Sequence, residues 1–144
     1  MFCEKDWWYM KNDKRYEAGR WLSQAKEDLK TVELLVKGGR FYMACFLSQQ
    51  AAEKFLKAYL YAQGEEMVFG HSISKLCSQC ARYSGSFKKL HPAIKNLDQF
   101  YIEARYPNGL PDGIPANFFN KNDALRAYHK AKKCIGTVSG ILTQ

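Results

Sequence analysis

At 144 residues, 47% of them hydrophobic, the chain is sized for one domain with one core and is too apolar to be disordered. A net charge of +8 directs it toward anionic partners (nucleotides, RNA or an acidic protein surface), and a basic surface kept for solubility accounts for the charge equally well. No run of about 18 apolar residues is present, and the opening MFCEKDWWYMKNDKR lacks the continuous apolar stretch of a secretory signal, so the expectation is a cytoplasmic protein with no membrane span.

Residues 1–14 read as an N-terminal extension and 15–144 as the domain. Trp7 and Trp8 either cover part of the domain or a dimer seam, or lie in a loose tail. From about Tyr16 to Lys37 the residues Leu22, Ala25, Leu29, Val32 and Leu35 recur at three- and four-residue steps, the stripe of an amphipathic helix, and Gly38-Gly39 ends it. A second helix runs from Phe41 to about Ala62, stopped by Gly64, with Tyr42, Cys45, Gln49, Ala52, Leu56 and Tyr59 on a broad face. Glu53 falls inside that arc and needs a partner, since a carboxylate buried alone is costly. Lys54 and Lys57 fall at its edge, where stems pack and ammonium groups stay wet.

A short third helix follows Ser72, a suitable N-cap, with Ile73, Leu76 and Cys80 or Cys77 inward. After YSGS, a fourth helix starts at Pro92, which suits a first turn, and carries Ile94, Leu97, Tyr101 and Ile102 to about Ala104. The loop RYPNGLPDGIP holds three of the chain's four prolines. A last helix covers about Asn122 to Leu142, with Leu125, Tyr128, Ala131, Ile135, Val138 and Leu142 inward. With no alternating β pattern, the reading is all-α: an up-and-down antiparallel bundle of about five helices.

Several groups carry possible chemistry. The five cysteines are expected to be free thiols; Cys77 and Cys80 form a C-x-x-C with no second ligand pair, and read as core residues rather than a metal site. Arg126, His129, Lys130 and Lys133 share one side of the last helix, either a phosphate-attracting or a merely solvated face. Gln49 and Glu53 either fix helix register by hydrogen bonds or orient Arg105 or His71. Because Tyr106 precedes Pro107, helix must end by Arg105. Arg105 is then either a cation at a helix C-terminus or a phosphate contact, with Tyr106 beside it for stacking.

Three stretches together, QQAAEKFLKA (49–58), GHSI (70–73) and YIEARYP (101–107), resemble a HEPN domain (higher eukaryotes and prokaryotes nucleotide-binding). The likeness runs from about Arg15 to Leu142. Its R-Y-P form is similar to small stand-alone prokaryotic members and to the module at the end of the ataxia protein sacsin. The resemblance implies a bundle of about five helices, usually a homodimer. Members include nucleotide-binding modules, partners of small nucleotidyltransferases in toxin–antitoxin pairs, and RNA-cleaving toxins. The cleaving members carry R-x(4–6)-H, whose Arg and His meet at the dimer interface and promote attack of the ribose 2′-hydroxyl.

None of His71, His91 and His129 stands at that spacing from an arginine, so the proton carrier is missing. The implied protein is a cytoplasmic homodimer that binds a nucleotide such as ATP or GTP, with no catalytic residue, cofactor or metal. Arg105, Lys54 and Lys57 would pair phosphate. Tyr106 would stack or touch ribose, His71 would hydrogen-bond, and Glu53 would orient. Two alternatives stand beside it: an RNA-cleaving toxin using Arg105 with His71, and an interaction module that docks a nucleotidyltransferase.

Overall fold

Three long helices carry the core. In the computed structural model, which describes residues 14–142, α1 spans Lys14–Lys37 and α2 spans Phe41–Ala62. Helix α3 (Ile73–Ala81), α4 (Ser86–Ile94), α5 (Phe100–Glu103) and α6 (Pro115–Phe118) are short, and α7 (Lys121–Leu142) is the third long one. Trp7 and Trp8 lie outside the described residues. No strand is present among those described, and no helix there is long and apolar enough to cross a membrane.

Helix α2 is central because it is buried nearly all round, from Ala44 to Leu60. Helix α1 packs antiparallel to it, tied by Lys54 of α2 to Asp28 of α1. Helix α7 covers the other side, where the Cys134 thiol reaches the Ala52 carbonyl oxygen at 3.8 Å. The antiparallel bundle expected from periodicity is what forms.

Two elements depart from expectation. On α7 the fully buried positions are Ala124, Ala127, Ala131, Cys134 and Val138, while Leu125, Tyr128 and Ile135 are half-buried flanks. Small side chains let α7 approach α2 closely, and that closeness outweighs burying the larger residues. The fourth helix begins at Ser86, not Pro92, and Pro92 sits inside it. Phe87, Leu90 and Ile94 bury one stripe there, which offsets the roughly 3 kcal/mol an interior proline costs. The helix ends two residues later. A 3-10 turn over Lys95–Gln99 and α5 then complete what periodicity read as one helix. Tyr106 is extended, at φ −123° and ψ 132°, as a residue before proline must be.

The thiols behave as core groups. Cys45, Cys77, Cys80 and Cys134 are unpaired and buried, and no metal-holding cluster exists among the described residues. Burial pushes the Cys45 thiol up to about 12 and Cys77 to about 11. Since the thiolate is the reactive form, these four cysteines are expected to resist iodoacetamide in the native protein and to label fully in guanidinium. Peptide mass analysis of the two samples checks this; native labelling of Cys77 or Cys80 would contradict the fold.

Candidate functional site

The site is built on one face of α2. Glu53 is 5% exposed and Lys57, one turn on, is 6% exposed; the Lys57 ammonium donates to Glu53 Oε2 at 3.1 Å and lies 5.5 Å over the Trp21 ring. Lys57 is therefore not at the wet edge that helical spacing alone indicated. Trp21 of α1 covers it, and coverage by a second helix is invisible to the period of the first. Lys54 is half-covered and pairs with Asp28 Oδ2 at 2.5 Å, while Gln24 donates to the other oxygen. Both ammonium groups are thus occupied by carboxylates.

The second layer comes from the loop after α2. Gly70, at φ +96°, turns the chain where a side chain would be strained and delivers His71 back onto α2. There Gln49 Nε2 donates to the His71 carbonyl at 2.9 Å, and His71 Nδ1 meets Glu53 Oε1 at 3.1 Å. Glu53 is thus shared between Lys57 and His71, one oxygen to each.

The third layer is the segment before the Pro-Gly loop. Asp98 takes three hydrogen bonds from the start of α3: Ile73 N–H at 2.5 Å, Ser74 N–H at 3.1 Å and the Ser72 hydroxyl at 3.0 Å. Ser72 meanwhile caps α3 as expected, accepting from Lys75 N–H. Three residues on, Tyr101 stacks on His71, with ring centres 4.9 Å apart and planes 17° apart. Arg105 lies over the same Tyr101 ring at 4.6 Å, over Phe46 at 4.4 Å and over Tyr106 at 5.0 Å. Its Nε donates to the Tyr101 carbonyl at 2.7 Å. The loop then folds tightly back: a Cβ on Gly109 would come within 3.0 Å of the Glu103 backbone.

Arg105 differs from the other arginines whose ion pairs are seen. Arg20 is held by Glu17 and Arg126 by Asp123, but no carboxylate among the described residues lies within ion-pair distance of Arg105. Its Nε serves the end of a helix, as the dipole reading required. Aromatic walls hold the guanidinium flat and lower the cost of displacing its water.

Two hollows lie away from the Arg105 cluster. A hollow of about 650 Å³ along α1, at Tyr16, Arg20 and Gln24, contains none of the motif residues. Another, of about 370 Å³, reaches only Lys54. In the smaller hollow Glu17 accepts from Arg20 and Trp21, and Gln24 and Lys54 both reach Asp28.

Of the residues singled out by sequence, Arg105, Tyr106, His71 and Glu53 are joined through Tyr101, whereas Lys54 and Lys57 are turned to carboxylates. Tyr101 itself is a site residue that the sequence reading places only in the core. Its spacing of four from Arg105, one helical turn, was the available signal. Asp98 carried none, because the helix it caps begins 25 residues earlier in the chain.

Fold and site together define a small helical-bundle protein with an arginine set among aromatic rings and a carboxylate-anchored histidine nearby. The family model for the HEPN domain matches residues 18–141, and the chain belongs to the HEPN family. The fold is similar to the crystal structure of TT1696 from Thermus thermophilus, at 34% identity and a TM-score of 0.81, over 85% of this chain and 96% of that one. It is also similar to ST0689, described as an archaeal HEPN homologue, at 32% identity and a TM-score of 0.70, over 85% and 95%. In sequence it is 25% identical to a Methanocaldococcus jannaschii protein named "Putative toxin MJ1304", over 85% of this chain and 86% of that protein.

Proposed function

We propose that this protein binds a nucleotide of the ATP or GTP class without catalysis of its own, through Arg105 and Tyr106. The observation that carries the reading is the Arg105 guanidinium, walled by Phe46, Tyr101 and Tyr106 and without a carboxylate partner among the described residues. A donor fork held in that way suits phosphate, which accepts two parallel hydrogen bonds. Tyr106, 48% exposed, offers a face for a base or ribose. His71 supplies a hydrogen bond and Glu53 orients it. Lys54 and Lys57, expected to pair phosphate, are instead held by Asp28 and Glu53. The proposal extends to a cytoplasmic homodimer whose domain is 15–144 and which serves as partner of a small nucleotidyltransferase.

Calorimetric titration with ATP and GTP tests it. Arg105→Ala is expected to weaken binding by about 100-fold, the loss of a charge-assisted pair. No heat at millimolar nucleotide would overturn the proposal.

A second reading, an RNA-cleaving toxin, is favoured by His71 and Arg105 flanking one tyrosine ring and by the name of the archaeal relative. Incubation with total RNA separates the two: cleavage abolished by Arg105→Ala would replace the first reading with the second.

A further inference from the structure

His71 is 57% exposed in its side chain, yet it is held at three points: its carbonyl by Gln49, its Nδ1 by Glu53 and its ring face by Tyr101. An exposed histidine with no task has no need of such tethering, since each tether costs conformational entropy. The tethers also decide which nitrogen does what. A carboxylate only accepts, so in the neutral ring the proton sits on Nδ1 and Nε2 presents a lone pair. No described residue occupies Nε2.

A lone pair does not bind phosphate oxygen; it takes a donor. Arg105, by contrast, is a donor only. Both contact the Tyr101 ring, Arg105 at 4.6 Å and His71 at 4.9 Å from its centre, so the donor fork and the lone pair share one aromatic neighbour. The exocyclic amine of a base is the other donor a nucleotide carries, but it lies at the end of the molecule farthest from the phosphates.

From this we infer that His71 Nε2 accepts a hydrogen bond from a ribose hydroxyl, making the site selective for ribonucleotides over deoxyribonucleotides. The inference rests on the nucleotide-binding reading above and assigns its sugar specificity. An analogue lacking the hydroxyl forfeits that hydrogen bond and binds more weakly.

The experiment titrates the full chain with ATP, 2′-deoxy-ATP and 3′-deoxy-ATP, and repeats all three with His71→Ala. The expected result is about 10-fold weaker binding of at least one deoxy analogue, with His71→Ala binding all three equally and at the weaker level. Because the His71 side chain is exposed, the variant should fold, which a thermal melt confirms. Equal binding of ATP and both analogues by the unaltered protein overturns the sugar assignment and leaves nucleotide binding intact. Discrimination that survives His71→Ala overturns it as well, by moving selectivity to another residue. If no nucleotide binds, the parent reading fails and the inference fails with it.

Discussion

Glu53→Ala is expected to lower stability by about 3–5 kcal/mol, the cost of removing one partner from a buried ion pair. The loss comes less from the missing attraction than from what stays behind. Lys57 is 6% exposed, and without Glu53 its ammonium keeps only the Trp21 ring, 5.5 Å away, which does not replace a hydrogen-bonding carboxylate. His71 loses the acceptor for Nδ1 at the same time. Urea unfolding should show the midpoint falling at constant slope. Replacing the pair together, with Glu53→Leu and Lys57→Met, removes both buried charges and should recover most of the stability, while His71 is left unoriented. A loss below about 1 kcal/mol for Glu53→Ala would mean that water reaches Lys57.

How much of this is legible in the sequence follows from the range of each interaction. The long helices are readable because their apolar period is local, and the need of Glu53 for a partner is readable because it sits among apolar neighbours. Which partners it takes is half readable: Lys57 is one turn away on the same helix, whereas His71 arrives across a loop of ten residues that Gly70 redirects. The burial of Lys57 is not readable, since Trp21 belongs to another helix. On α7 the sequence pattern favours large apolar residues, and close approach of helices selects the small ones. Pro92 misleads in the same way: its preference for a first turn is local, and the stripe of Phe87, Leu90 and Ile94 overrides it by tertiary burial. For Arg105 the helix-end reading is met by Nε, which donates to the Tyr101 carbonyl.

Asp98→Ala is expected to cost about 2–4 kcal/mol and to loosen the packing of His71 on Tyr101 without touching Arg105 or Tyr106. Asp98 accepts from two backbone N–H groups and one hydroxyl at the N-terminus of α3. Those N–H groups have no partner within the helix, and a carboxylate at that end also meets the positive end of the helix dipole. Loss of a side-chain cap alone costs about 1 kcal/mol, and hydrogen bonds to a charged group are worth more. Ser72 would still cap Lys75, so α3 should persist with its first turn frayed. The consequence for the site follows from chain order. His71 immediately precedes the capped turn, and Tyr101 lies three residues after Asp98, so the carboxylate fastens together the two segments whose rings stack at 4.9 Å. Asp98→Asn separates charge from shape: its carbonyl oxygen still accepts from Ile73, but its amide faces the Ser74 N–H, donor against donor, so an intermediate loss of about 1–2 kcal/mol is expected. Hydrogen exchange is the discriminating measurement. In Asp98→Ala, protection should fall at Ile73 and Ser74 while the α2 amides keep theirs relative to global stability. Unchanged protection at Ile73 would show that the carboxylate is not what holds the histidine turn to the Tyr101–Arg105 segment.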